Sequence, residues 1–194
     1  IKAGLKASND EELGKEVLYH QLYKGHPYES YNYGDLSDLE ALTLDDVKAF
    51  YANQFTQSKL TVGLIGAIPG DVKSTMMKDL TSLPQGKESR LTIPDAPELI
   101  GHHATIVEKS AQSTAVSFGF PIDTIRSSDD WTALWLVRSY FGEHRSSNSF
   151  LYQRIRQTRG MNYGDYAYIE YFPRGMFQTK PDANLGRSEQ IFQV

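Results

Sequence analysis

Ser149-Phe150-Leu151-Tyr152-Gln153-Arg154-Ile155-Arg156-Gln157-Thr158-Arg159-Gly160-Met161-Asn162-Tyr163 reads as an amphipathic helix, a glycine stop and the start of a strand. Leu151, Ile155 and Tyr152 supply the apolar stripe. Arg154, Arg156 and Arg159 load the last turns with positive charge, which complements the negative end of a helix. Gly160 stands where a left-handed residue ends a helix. Arg156 and Tyr163 then flank one tight helix-to-strand turn, a spacing that aims a guanidinium and a phenol at one region of space.

Working outward, the segments before and after this run give the rest of the second half. Ala104 to Glu108 and Thr114 to Phe120 read as strands, the latter with Val116, Phe118 and Phe120 alternating with Ser117 and Gly119. A helix starts at Ser127-Ser128-Asp129-Asp130 and runs to about Phe141. It is apolar nearly all round, which predicts deep burial. Asn162 to Phe172 reads as a long strand, Pro173-Arg174-Gly175 as a turn and Met176 to Thr179 as the return strand, and Glu189 to Val194 as one more. The order β-β-α-α-β-β implies an α+β fold, with helices packed on a mostly antiparallel sheet.

The first half repeats the mixture. Asn9 or Asp10 caps a helix to Tyr23 that Gly25 ends. Thr43-Leu44-Asp45-Asp46 has the capping-box form, and Leu44, Val47, Phe50 and Tyr51 give that helix a core face. Lys59 to Ile68 reads as a buried strand, and Val72, Met76, Leu80 and Leu83 as a helical stripe. Between the halves, Pro84-Gln85-Gly86-Lys87 and Ile93-Pro94-Asp95-Ala96-Pro97 are breakers without periodicity. The expected organisation is therefore 1–83 as the latter part of a first α+β domain, 84–101 as a linker, and 102–194 as most of a second, C-terminally truncated one.

Composition excludes several function classes. A net charge of −4 over 194 residues gives no electrostatic case for nucleic acid or an anionic membrane. No apolar run approaches the ~20 residues of a membrane-spanning helix. Without cysteine there are no disulfides and no thiol chemistry. The chain opens at Ile1 without a signal peptide and is read as lying inside a longer protein. Gly63, Gly66 and Gly70 miss the spacing of a nucleotide loop and read as strand punctuation. Asp45-Asp46 reads as helix N-terminal charge rather than a catalytic pair.

The spacing from Arg156 to Tyr163 resembles the substrate-binding R-x-x-x-x-x-x-Y pair of the pitrilysin/insulinase family of zinc metallopeptidases. The resemblance extends to His26-Pro27-Tyr28 after Leu18-Tyr19-His20-Gln21-Leu22-Tyr23, similar to the family's L-Y-x-x-H-P-Y segment. It extends also to Leu42-Thr43-Leu44-Asp45-Asp46 through Phe50-Tyr51, followed by Leu60 to Gly66. The family's H-x-x-E-H zinc motif is missing. His20, His102, His103 and His144 have Lys24, Ile106, Val107 and Asn148 four residues on, and His26 has Glu29 but then Ser30. A catalytic zinc needs three protein ligands and an open position, which no spacing in this chain supplies. Glu11, Glu12 and Glu16 lie about where the family's distal zinc glutamate falls, and are candidates by position alone. His26 itself reads as a turn or packing residue, His102-His103 as a strand start, and Tyr166 and Tyr168 as packing or sheet-surface residues.

The resemblance implies the inactive, non-zinc-binding half of a peptidase, inert alone. Arg156 would hold a backbone carbonyl of a peptide or unfolded-protein substrate added at a sheet edge, and Tyr163 would donate to the scissile carbonyl or its oxyanion. The chain then needs no cofactor of its own. Zinc is expected in a homologous partner subunit or domain, or upstream in the same polypeptide, and a periplasmic location goes with the paired bacterial members. A structural or assembly subunit and a peptide-binding module that does not cleave are the alternatives.

Overall fold

The computed structural model describes residues 9–31, 34–87, 92–143, 146–162, 165–170 and 186–194. The chain forms two compact units. One comprises 34–92, and the other is built from the segments on either side, 1–33 and 93–194.

In the unit built from both flanks, α1 (Asp10–Leu22) starts where the Asn9 side chain accepts from the Glu12 backbone N–H, and its first turn holds Asp10, Glu11 and Glu12. That acidic turn matches the positive end of the helix dipole. Gly14 lies so close to Ser117 that a Cβ would fall 2.9 Å from the serine Oγ, so a bare glycine lets α1 approach the segment leading into β1 (Gly119–Ile122). β1 pairs antiparallel with β2 (Gln190–Gln193), Gly119 opposite Gln193 and Ile122 opposite Gln190. Phe118 and Val194 extend the pairing with reciprocal backbone bonds of 2.9 and 2.8 Å, and Tyr168 bridges to Gln193 on the far side of β2.

The core of this unit is a clasp of three segments distant in sequence. Tyr19, Leu22 and Tyr23 of the first segment bury against Ile191 of β2, with Leu18, Tyr28 and Ala96 packed around them. His26 follows, 4% exposed, with both ring nitrogens engaged. Its Nδ1 accepts from the Tyr28 backbone N–H at 3.0 Å, which requires the Nε2–H tautomer, and Nε2 donates to the Pro94 carbonyl at 2.9 Å. The Tyr23 hydroxyl donates to the Glu189 carbonyl, and Arg187 lies over the Tyr28 ring, 4.3 Å from its centroid. Burial raises the Tyr23 hydroxyl to about 12, so it is a fixed donor.

α5 (Trp131–Gly142) departs from expectation. Its apolar composition predicts deep burial, yet Leu136 and Tyr140 are 65% and 68% exposed while Arg138 and Gly142 are the buried members. Arg138 accounts for its burial. The guanidinium lies 4.9 Å from the Trp135 ring and 5.6 Å from Tyr168, and donates to the Ala167 carbonyl and to Glu143. A weakly hydrated planar cation stacks on aromatic faces at little desolvation cost.

The unit 34–92 carries α2 (Leu36–Ala41), α3 (Leu44–Gln54) and α4 (Gly70–Leu80). The capping box at α3 is present as read: Asp46 N–H donates to Thr43 Oγ1, and Asp46 Oδ2 accepts from the Thr43 backbone and hydroxyl. Its ends are tied by Gln57, whose backbone donates to Pro84 and whose amide donates to Leu83 and Thr81 carbonyls. The core face expected on α3 is solvent-facing in the described structure, with Leu44, Phe50 and Tyr51 at 69%, 62% and 58%.

The α+β class is as read from the sequence, but the sheet is smaller. Lys59–Ile68 holds the last residue of a 3₁₀ turn (Gln57–Lys59) and no strand, and Ala104–Glu108 forms no strand either, among the described residues. Of Thr114–Phe120 only the last two residues are in β1, and of Asn162–Phe172 only Tyr168 makes a bridge among the described residues. An alternating pattern identifies backbone that suits a ladder, and a ladder still requires a second strand. The hairpin read at 171–179 lies outside the described residues.

Candidate functional site

The Arg156 helix is wider than its sequence announces. Residues Tyr152–Gln157 are π-helical, with the Thr158 N–H reaching back five residues to the Gln153 carbonyl. A π-turn inside a helix is rare and recurs at functional sites. Gly160 adopts φ +64°, the left-handed stop expected there. Gly160 N–H donates to the Arg156 carbonyl at 2.8 Å and Met161 N–H to Ile155 at 3.2 Å. The first is the ordinary bond of a left-handed glycine cap, and the second spans one residue more than the usual outer bond.

Seating comes from the N-terminal end. Leu151 is buried against Gly142, where a Cβ would lie 2.8 Å from Leu151 Cδ1 and 3.0 Å from the Ala167 backbone nitrogen. Ala167 N–H donates to the Gly142 carbonyl at 2.7 Å. This bare contact locks the end of α5, the start of the π-helix and segment 165–170 together. Ser149, 1% exposed, closes the turn before the helix by donating to the Ser146 carbonyl.

Two arginines of the run lie over aromatic rings four residues earlier. Arg156 sits 4.8 Å from the Tyr152 ring centroid, and Arg154 sits 5.7 Å from Phe150. Leu151 is buried as expected, whereas Tyr152, Ile155 and Arg156 are half-buried and Arg154 and Arg159 exposed. Phe150 stacks on Phe141 of α5 at 5.9 Å. The ring beneath Arg156 has a sequence signal, the aromatic–arginine spacing of one helical turn. Tyr163 and His144 lie outside the described residues, so the distance from Arg156 to the Tyr163 hydroxyl is not part of this geometry.

The remaining sequence candidates fall elsewhere. Glu12 pairs with Lys15 at 2.5 Å, and Glu16 lies 4.0 Å from the same ammonium. Burial raises Glu16 to about 7, opposed by Lys15 and Arg187 and reinforced by Glu12. Burial also raises Glu11 and Asp165, with carboxylate repulsion adding to it at Glu11. His20 meets Glu29 at 3.2 Å on the surface, His103 contacts the Ile100 carbonyl, and His26 has neither nitrogen available to a metal. Among the described residues no three His, Cys, Asp or Glu side chains are placed to hold a metal ion. The described donors therefore do not form a zinc site. No helix of the described residues is long and apolar enough to cross a membrane.

Comparison with known proteins follows the same line. Residues 41–183 match the family described as the peptidase M16 inactive domain. An uncharacterized zinc protease of Mycobacterium leprae is 23% identical over 98% of this chain and 43% of its own length. The non-peptidase homolog YmxG of Helicobacter pylori is 25% identical over 90% of this chain and 41% of its own. Among solved structures, a peptidase M16 inactive domain from Pseudomonas fluorescens superposes with a TM-score of 0.73 at 21% identity, over 98% of this chain and 43% of that one. A protease from Helicobacter pylori gives 0.63 at 16%, covering 99% and 44%. The chain thus spans less than half the length of the relatives it matches.

Proposed function

The chain belongs to the peptidase M16 inactive domain family, and from that premise we propose that it is part of the half of a peptidase that holds the peptide while another half cuts it. In this reading Arg156 binds a backbone carbonyl of an extended peptide or unfolded protein. Tyr163, on the following segment, donates to the scissile carbonyl as it gains negative charge. Zinc belongs to a homologous partner subunit or domain, and the pair works in the periplasm. Residues 84–101, whose described members form neither helix nor strand, link two domains of the parent.

The observation that carries the reading is the conformation around Arg156. A π-turn is a rare local arrangement that recurs at functional sites, and it falls on the residue that the family spacing singles out. Backbone and ring together hold a half-buried guanidinium over Tyr152.

The test is cleavage of an unstructured quenched fluorescent peptide by the full-length parent, with and without a homologue carrying H-x-x-E-H. Activity should require both. Tyr163→Phe should lower kcat by about 10²–10³, the effect of losing one oxyanion donor. A parent that cleaves alone carries its own zinc half. Equal activity of wild type and Tyr163→Phe would refute the pair.

A second reading is favoured by one comparison, the relative named a non-peptidase homolog. There the parent binds or assembles without cutting, and no combination of subunits cleaves while Arg156→Ala still weakens peptide binding.

A further inference from the structure

We propose that Tyr152 is a positioning residue for Arg156, a ring platform that fixes the guanidinium before substrate arrives; this rests on the reading of Arg156 as a substrate-binding residue. Arg156 Cζ lies 4.8 Å from the Tyr152 centroid, well within the roughly 6 Å over which a cation is held by a ring face. Both side chains are half-buried, so the contact is partly shielded from water. The neighbouring pair on the same helix, Arg154 over Phe150, is longer at 5.7 Å and its arginine is exposed. The structure therefore treats two arginines at the same spacing differently, and the tighter platform lies under Arg156.

The physical argument is one of preorganisation. An arginine side chain loses much rotamer freedom when it is held in one geometry. A ligand that must impose that geometry loses affinity in doing so, and a protein that has already imposed it binds tighter. Leu151, buried next to Tyr152, and the π-turn fix the helix that carries the ring. No described hydrogen bond uses the Tyr152 hydroxyl, so the ring face, not the phenol, is the working part.

Three substitutions separate this from simple packing. In the full-length parent with its zinc-bearing homologue, Tyr152→Leu keeps an apolar side chain and removes the ring. It should raise KM roughly threefold to thirtyfold, the span of a partly desolvated cation–π contact, with kcat nearly unchanged, because Arg156 grips ground and transition states alike. Tyr152→Phe should match wild type. In an Arg156→Ala background Tyr152→Leu should have no further effect, the signature of two residues acting as one. The ¹³C and ¹⁵N resonances of the Arg156 guanidinium should shift in Tyr152→Leu as the ring current disappears.

An unchanged KM in Tyr152→Leu, or the same loss with and without Arg156, would overturn the proposal and make Tyr152 a packing residue. Full activity of Arg156→Ala would instead sink the substrate-binding reading. The guanidinium resonances then decide the platform separately: unmoved by Tyr152→Leu, they refute it too.

Discussion

Arg126 and Glu170 make an ion pair with one end dry and one end wet, and removing the wet end should cost more than neutralising the dry one. Glu170 is 0% exposed, whereas the Arg126 side chain is 59% exposed. The guanidinium donates through Nε at 2.6 Å and Nη2 at 3.1 Å, a two-pronged contact with one carboxylate. Exposed pairs contribute about 0–1 kcal/mol, and breaking a fully buried pair costs about 3–5. For this mixed pair Arg126→Ala is expected at about 2–3 kcal/mol, since the carboxylate stays behind in a dry site without its donors. Glu170→Gln leaves an oxygen for Arg126 and removes the charge, so about 1 kcal/mol is expected. The assay is native-state hydrogen exchange in the full-length parent, read at the amides of Ala167, Tyr168 and Gln193, which are bonded to Gly142, Gln193 and Tyr168. Protection at these sites should fall by about 30- to 150-fold in Arg126→Ala, the same energy expressed as an opening equilibrium at 1.4 kcal/mol per tenfold. Equal protection in wild type and Arg126→Ala, or a larger loss in Glu170→Gln, would refute the asymmetry.

Three further outcomes are expected. Gly142→Ala should destabilise by about 1–3 kcal/mol through overpacking, because the new methyl meets Leu151 and the Ala167 backbone; thermal unfolding measures it, and a rise in Tm would contradict the close approach. His26→Ala loses both ring bonds, whereas His26→Asn keeps an acceptor for the Tyr28 N–H and loses the bond to Pro94. Proteolysis within 92–101 should quicken in both, and the larger loss of stability by thermal unfolding, about 2 kcal/mol, should belong to alanine. Glu16 carries a proton in the folded state up to about pH 7 and in the unfolded state only to about 4.5. The folded state binds more protons across that window, so stability falls as pH rises through it. Glu16→Gln should flatten this decline in denaturant titrations at pH 5 and 8, and an undiminished decline would remove Glu16 as its source.

What the sequence revealed and what it hid divide along physical lines. Capping chemistry was legible because it is local: Asn9, the Thr43/Asp46 box and Gly160 each act within a few residues of themselves. The terminal strand around Ile191 was read over Glu189–Val194, and the structure has it over Gln190–Gln193. The π-turn was not, because six residues of apolar spacing fit a wide turn and an ordinary one equally well. α5 was misread as deeply buried since composition reports the surface a helix needs, not which stretch of chain supplies it; the burial of Arg138 depends on Trp135 and Tyr168, and Tyr168 is distant in sequence. His26 was read as a packing residue, which it is, but its hold on Pro94 joins residues 68 apart and no local pattern reports that.

The clasp has a consequence for how this protein is made. Tyr23 and Glu189 are 166 residues apart, and Tyr28 and Ser188 are 160 apart. At a synthesis rate of about 5–20 residues per second, α1 waits roughly 10–30 s for the strand that covers Tyr19, Leu22 and Tyr23. Over that interval its apolar face is open to a chaperone or to another nascent chain. Order in this unit arrives from a segment made long after the first.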